Sequence, residues 1–157
     1  MRVIAASLFA CLVVAASGCG NQGDESTPVA CLEGAAVYEK ALRAAPDEVL
    51  LDGETPISDC LTRNQNAADL TRVGEAMVEA AGSLNTLDRI KSYSGIAVRI
   101  GYLLGAAERG AEDTEGIHAD LLRRLTVAAR YTPGNQPLSQ RFLTAYREGF
   151  DAGHSSG

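Results

Sequence analysis

The feature that most constrains the fold of this chain is its first 19 residues, MRVIAASLFACLVVAASGC. They determine which residues remain in the mature chain and in which compartment those residues fold. Arg2 gives a positively charged start, and residues 3–16 form an uncharged, mostly apolar run. Small residues then lead up to Cys19. A basic start, a short apolar run and a small-residue exit are the layout of a secretory signal peptide. The sequence therefore predicts that residues 1–18 are a cleaved signal and that the remainder folds outside the cytoplasm.

Two other interpretations of this stretch are open. A retained transmembrane anchor would need roughly 20 apolar residues to cross a hydrocarbon core of ~30 Å, and the run at residues 3–16 is shorter than that. An ordinary secretory signal, in which Cys19 merely happens to follow the cleavage site, fits the same layout.

The end of the signal, Ala16-Ser17-Gly18-Cys19, resembles the lipobox of bacterial lipoproteins, and the polar stretch GNQGDESTP follows it. The family usually has leucine where Ala16 stands. The resemblance implies cleavage before Cys19 and diacylation of its sulfur with fatty acyl chains such as palmitate, and more than one acyl chain is needed for stable anchoring. Gly20 rather than aspartate follows the acceptor, which implies the outer membrane in a host with two membranes and the cell membrane otherwise. Residues 19–28 are then a lipidated flexible tether, whose flexible part spans on the order of 16 Å.

The charge of the chain limits what it binds. It has 14 Lys and Arg against 20 Asp and Glu, a formal charge of −6. Loss of Arg2 with the signal leaves 13 basic residues against 20 acidic ones, a charge of −7. A net-acidic body argues against nucleic acid and against adhesion to anionic lipid by charge. We therefore expect membrane attachment through the acyl chains of Cys19 alone, together with an unidentified protein partner.

The four cysteines are not equivalent. Cys11 leaves with the signal and Cys19 is the acyl acceptor, so one pair, Cys31 and Cys60, remains. In an oxidising compartment the simple interpretation of one remaining pair is a disulfide. The alternative, a reactive or metal-binding thiol pair, has no supporting Cys-x-x-Cys motif, and the chain has only two histidines. The sequence thus predicts a structural disulfide, no metal and no cofactor.

Composition and periodicity favour an all-α domain. Alanine and leucine dominate, aromatic residues make up 5% and tryptophan is absent, and alanine and leucine favour helices. We expect a small bundle of four or five helices over residues 29–153, followed by a disordered tail at 154–157. The apolar spacing and the candidate caps Ser58, Gly82, Thr114 and Gly153 place these helices at about 30–44, 58–81, 86–109, 115–131 and 137–152.

The third predicted helix carries small residues at a regular spacing. Ala97, Gly101 and Gly105 recur every four residues along one side. Small residues at this spacing let a neighbouring helix approach closely, and glycine inside a helix costs about 0.5–1 kcal/mol relative to alanine, so a compensating contact is expected. Close helix packing is one explanation, and a ligand approaching the backbone is the other.

Catalytic residues are sparse. With His154 expected to be free in the tail, a Ser-His-Asp or Cys-His site would have to use His118. His118 lies one position off the apolar stripe of the fourth helix, where a boundary histidine is the default interpretation. Arg123, Arg124 and Arg130 form either an anion site or a solvated helix face. No catalytic residues are predicted.

A second resemblance concerns the body of the chain. Gly101-Tyr102 followed by Gly105, a helix ending in Tyr131 and a last helix ending in Phe150 resemble the Rap1a/Tai family over about 50 residues. Members of that family are small helical periplasmic immunity proteins that block secreted effectors. The cysteines that the family places near these segments are missing here, so no residue roles are carried over.

The leading hypothesis is a membrane-anchored envelope lipoprotein that acts without catalysis, by protein–protein contact or by binding a small ligand. The alternatives are a periplasmic immunity or inhibitor-type protein and a small envelope enzyme that uses His118 and nearby carboxylates.

Overall fold

The structure, a computed structural model, describes residues 26–91 and 94–157. The signal, Cys19 and residues 20–25 of the tether lie outside the described residues. These described residues contain one antiparallel strand pair and five α-helices, which confirms the predicted all-α bundle. They also contain short 3-10 turns at Val29–Leu32, Leu42–Ala44, Ile57–Cys60 and Pro133–Asn135. The elements are α1 (Ala35–Ala41), β1 (Leu50–Leu51), β2 (Thr55–Pro56), α2 (Ala67–Lys91), α3 (Ser94–Ala111), α4 (Ala119–Arg130) and α5 (Gln140–Ser156).

Helix α3 is the centre of the bundle. It packs most extensively against α5 and also contacts α2, α4 and the Ile57–Cys60 turn. One face of α3 is buried in the core, and it includes Ile96, Ala97, Ile100, Leu103, Leu104 and Ala107. Among the described residues no helix combines the length and apolarity that a membrane crossing requires. The core includes Tyr38, Leu42, Leu51, Ile57, Val73, Met77, Ile100, Tyr102, Leu103 and Leu125.

Helices α3 and α5 approach so closely that their glycines face each other's backbone. A Cβ on Gly101 would lie 2.8 Å from the Phe150 nitrogen, and one turn later a Cβ on Gly105 would lie 2.8 Å from the His154 nitrogen. A step of four residues towards the C-terminus of α3, from Gly101 to Gly105, corresponds to a step of four residues towards the C-terminus of α5, from Phe150 to His154. The two helices therefore run parallel, and α4 lies in the chain that connects them. Gly149 and Gly153 of α5 face Tyr102 in the same way. The close packing predicted for Gly101 and Gly105 is therefore confirmed.

Helix α2 differs from the prediction at both ends. It begins at Ala67 rather than near Ser58, because the Asn66 Oδ1 accepts hydrogen bonds from the nitrogens of Ala68 and Asp69, both at 3.0 Å. The predicted end at Gly82 is wrong, since the helix continues to Lys91. Beyond Gly82 it buries Leu84 and Asn85 against the core, and this tertiary burial outweighs the local tendency of glycine to end a helix.

The starts of α4 and α5 also lie later than predicted. Thr114 does not cap α4, which begins at Ala119. The Thr114 hydroxyl oxygen lies instead 2.7 Å from the Ala111 carbonyl oxygen and 2.9 Å from the His118 Nδ1. Helix α5 begins at Gln140, where the Ser139 hydroxyl accepts from the Phe142 nitrogen at 3.1 Å.

The end of the chain differs from the predicted disordered tail at residues 154–157. Helix α5 continues through Gly153 to Ser156. The reason is that Arg109 of α3 donates to the carbonyls of His154 (3.2 Å) and Ser155 (2.5 Å). A cation at the C-terminal carbonyls of a helix satisfies them and complements the helix dipole.

The Cys31–Cys60 disulfide is present, as predicted, with 5.5 Å between the two Cα atoms. It joins the Val29–Leu32 turn to the Ile57–Cys60 turn, and both cysteines are fully buried. The buried Tyr38 hydroxyl donates to the Cys31 carbonyl at 3.0 Å, which ties α1 to the same junction. Burial raises the pKa of Tyr38 well above its ordinary range, so this phenol stays protonated and remains a donor.

Candidate functional site

A cavity lined by charged side chains lies where the end of α3 meets the Ile57–Cys60 turn. Its volume is about 500 Å³, within the usual range for small-molecule sites. Two chain segments form it, one before α2 and one at the end of α3. We call it the charged cavity; it is lined by Ser58, Asp59, Leu61, Thr62, Arg63, Arg109, Gly110, Asp113 and Thr114.

His118, the histidine singled out from the sequence, lies behind this cavity and is fully buried. Its Nε2 lies 2.8 Å from the Gln65 Oε1. The Gln65 amide nitrogen donates to the Thr27 hydroxyl and to the Cys60 carbonyl, both at 2.9 Å. Because a carbonyl only accepts, this contact fixes the amide orientation of Gln65, and the His118 Nε2 must carry a hydrogen.

The other ring nitrogen of His118 faces Thr114. The His118 Nδ1 lies 2.9 Å from the Thr114 hydroxyl oxygen, which itself lies 2.7 Å from the Ala111 carbonyl. In the neutral ring Nδ1 accepts from the hydroxyl; in the protonated ring Nδ1 donates and the hydroxyl turns to Ala111. In either charge state each ring nitrogen has a hydrogen-bond partner, so burying the charge is the main cost of protonation. Burial accordingly lowers the pKa of His118.

This arrangement predicts a loss of stability on mild acidification. The folded-state pKa of His118 is lowered below its unfolded value of about 6.5, so in acid the unfolded chain takes up a proton that the folded protein resists. The stabilisation is complete above about pH 6.5 and is lost as the pH falls from there through the lowered pKa. We expect the melting temperature to drop between about pH 7 and pH 5, measured by thermal denaturation followed by circular dichroism.

His154 provides the matched control for this experiment, because it is the only other histidine and is partly exposed. The His118→Gln variant should lose most of the acid-dependent step, while His154→Gln should keep it. An unchanged step in His118→Gln would contradict the assignment.

The charged cavity holds side chains of both signs. Arg63 donates from its Nε to the Asp113 carbonyl at 2.9 Å, and Arg109 donates to the two α5 carbonyls already described. Asp59 accepts at 3.5 Å from the neighbouring Ser58 hydroxyl. Among the described residues, neither arginine forms an ion pair within 4 Å with a carboxylate. The residues that line the cavity thus include two arginines and two aspartates, and none of these four forms an ion pair with another.

Two further surface features lie at the opposite end of α4. A shallow depression of about 360 Å³ is lined mainly by apolar atoms of Val78, Val127, Ala128 and Tyr131, beside Arg123 and Arg124. The Arg89 guanidinium stacks over the Tyr131 ring at 5.5 Å. The surface that lines this depression is therefore mostly apolar, and Val127 and Tyr131 are exposed to solvent.

A small cavity of about 150 Å³ adjoins that surface. Asn85 lines it and donates to the Ala129 carbonyl at 2.7 Å, while its Oδ1 has no partner among the described residues. Burial raises the pKa of the neighbouring Asp88, an effect opposed by the positive charge of Arg141. A single water molecule suffices to satisfy an amide oxygen in a space of this size.

The remaining residues singled out from the sequence are dispersed. Cys19 lies outside the described residues. The expectation that His154 is free is wrong, since its Nε2 lies 2.9 Å from a Glu112 carboxylate oxygen. Arg123 pairs with Asp120, and Arg124 and Arg130 are exposed, which matches a solvated helix face. Within residues 26–91 and 94–157, no group of three or more His, Cys, Asp or Glu side chains is placed to hold a metal ion.

No feature of the sequence marks Gln65, Arg63 or Arg109 as a member of a site. Gln65 connects the disulfide region to His118 across 53 positions of the chain, and Arg63 reaches Asp113 across 50. No local pattern marks such pairs. The short polar stretch that precedes α2 is the only available signal, and it is equally typical of a loop.

Comparison with known proteins gives no match for this chain. No protein-family model, no curated protein and no solved structure matches it. The structure itself accounts for Gly101-Tyr102 and Gly105, on which the sequence resemblance to the Rap1a/Tai family depends. The two glycines allow α5 to approach, and the Tyr102 hydroxyl accepts from the Val49 nitrogen at 3.1 Å.

Proposed function

We propose that this protein is a lipid-anchored binding protein of the bacterial cell envelope, attached through Cys19 and acting without catalysis. In this proposal the charged cavity holds its ligand. The helical body provides a rigid scaffold, and the tether keeps it within a short distance of the membrane surface.

The observation that carries the proposal is the position of His118. This histidine is fully buried, and each of its ring nitrogens lies within 2.9 Å of a protein partner. A general base must come within hydrogen-bond reach of the proton that it removes. His118 offers no such nitrogen to the cavity, whereas the guanidiniums and carboxylates of Arg63, Arg109, Asp59 and Asp113 are typical ligand-binding groups.

The compartment is supported by the two classes of cysteine. A buried disulfide between Cys31 and Cys60 is typical of proteins that fold in an oxidising environment, and Cys19 stands at the end of a lipobox-like signal. The tether between them is short, because Thr27 already belongs to the folded body. The Thr27 side chain is buried, and its hydroxyl accepts from the Gln65 amide nitrogen at 2.9 Å. An anchor at Cys19 would therefore hold the body beside the membrane.

Replacement of Cys19 by alanine should release the protein from the membrane fraction and abolish its acyl labelling, because alanine has no sulfur to acylate. The measurement is fractionation of cells that express the full-length chain, together with metabolic labelling by a fatty-acid analogue. We expect nearly all of the wild-type protein in the membrane fraction and nearly all of the variant outside it.

Cys11→Ala is the matched control, since Cys11 lies in the apolar run of the signal and is removed with it in this proposal. This variant should fractionate and label like the wild-type protein. Membrane association and labelling that survive in Cys19→Ala would overturn the lipid-anchor proposal.

A further inference from the structure

We propose that the charged cavity binds a zwitterionic ligand of amino-acid or short-peptide size, whose carboxylate meets Arg63 and Arg109 and whose ammonium group meets Asp59 or Asp113. The inference rests on the proposed binding function and names the chemistry of the ligand. It is independent of the membrane anchor.

The two guanidiniums are held in place by neutral groups. Arg63 is fixed by the Asp113 carbonyl at 2.9 Å, and Arg109 by the carbonyls of His154 and Ser155. Each contact occupies only part of the guanidinium, which has five N–H donors. The remaining donors can form charge-assisted hydrogen bonds with a carboxylate, and the fixed geometry reduces the entropy lost on binding.

The two carboxylates make a purely anionic ligand a poor match. Asp59 and Asp113 line the same cavity, and within the described part of the chain neither pairs with an arginine or lysine within 4 Å. With two positive and two negative groups, the cavity has no net formal charge. An anionic ligand is attracted by the two arginines and repelled by the two aspartates, and a cationic ligand the reverse. A zwitterionic ligand can interact favourably with both pairs.

The wall of the cavity also contains a buried hydroxyl. The Thr62 Oγ1 has no hydrogen-bond partner among the described residues and is closed off from solvent, so a ligand in the open cavity does not reach it unless the wall moves. The volume of about 500 Å³ accommodates a ligand larger than a single ion.

The test uses three probes that differ only in their terminal charges: alanyl-alanine, its N-acetylated form and its C-terminal amide. Each is titrated by isothermal calorimetry into the full-length protein purified in mild detergent. Because each blocked form loses one charge-assisted interaction, we expect it to bind at least about tenfold more weakly than the free dipeptide.

Variants of the cavity connect this selectivity to the named residues. Arg63→Gln should weaken binding of the probes that carry a free carboxylate, and Asp59→Asn should weaken binding of the probes that carry a free ammonium group. Arg43→Gln, which changes an exposed arginine on the Leu42–Ala44 turn, should leave the binding of every probe unchanged. Arg63 and Asp59 are also exposed, so both variants should fold, and circular dichroism checks this.

Three results would overturn the inference: equal binding of the blocked and free dipeptides, binding that is insensitive to both Arg63→Gln and Asp59→Asn, or no binding of any probe up to about 10 mM. None of them bears on membrane attachment, which the Cys19→Ala fractionation measures separately. Failure of the ligand assignment and failure of the anchoring proposal are therefore distinguishable.

Discussion

Gly101→Ala is expected to destabilise the folded domain by at least about 3 kcal/mol, the upper part of the range for overpacked sites. The added methyl group would meet the backbone of α5, with the Phe150 nitrogen 2.8 Å away and the Tyr146 carbonyl also in collision. A flexible side chain could rotate away, but helix backbone cannot, so α5 as a whole must move. Since a domain of this size is stable by only about 5–15 kcal/mol, the loss is a large fraction of the total.

Gly82→Ala is the matched control, because it makes the same substitution inside α2, where an added Cβ would have nothing within 4 Å. There the higher helix propensity of alanine should stabilise the protein by about 0.5–1 kcal/mol. Chemical denaturation followed by circular dichroism measures both free energies of unfolding. Similar values for the two variants would show that the α3–α5 contact is looser than the structure indicates.

The sequence was sufficient to predict that something packs against the glycines of α3, but not which helix. Local spacing marks Gly101 and Gly105 as one face of a helix. The partner surface contains Gly149 and Gly153, and Gly153 considered alone is typical of a helix end. Gly153 is recognised as part of a packing surface only once the glycines of α3 and those of α5 are known to face each other. A single sequence does not reveal such a contact between distant segments.

Gly82 shows that a local signal for a helix end can also be misleading, because this glycine lies inside α2. Glycine after an apolar helical stretch is a good end signal, yet α2 continues past Gly82 because Leu84 and Asn85 are buried. The energy that decides the boundary comes from tertiary contacts, and Asn85 donates across 44 positions to the Ala129 carbonyl. Local rules predicted the helical regions and failed at their ends. The first predicted helix, 30–44, is α-helical only over Ala35–Ala41 and has 3-10 turns on both sides. The third was predicted to begin at about residue 86 and begins at Ser94, because α2 extends to Lys91.

The candidate site was the least predictable part. His118 stands out in the sequence because histidine is rare in this chain, but the structure gives it a buried structural position. The groups that line the cavity come from two segments, around Arg63 and around Arg109, and they have no periodic relation in the sequence. The disulfide was predictable because only Cys31 and Cys60 remain once Cys11 is assigned to the signal and Cys19 to the acyl anchor, and an oxidising compartment favours a bridge between them. This prediction required no knowledge of three-dimensional contacts.

Removal of the disulfide, by Cys31→Ala combined with Cys60→Ala, should lower the free energy of unfolding by roughly 3.5 kcal/mol in the chain-entropy description. The bridge closes a loop with a sequence separation of 29, and without it the unfolded chain gains conformational freedom. The slope of the unfolding free energy against guanidinium concentration (the m value) should also increase, because the unfolded chain without the bridge exposes more surface. Guanidinium denaturation of the wild-type and variant proteins measures both changes.

Reductant provides the control for this substitution. It should destabilise the wild-type protein by a similar amount and leave the double variant unchanged, since the variant has no bridge to break. The effect should extend to the charged cavity, because Cys60 closes the turn that carries Ser58 and Asp59, and its carbonyl holds Gln65 at 2.9 Å. Equal unfolding free energies with and without the bridge would mean that the buried contacts around Tyr38 and Gln65 hold this junction by themselves.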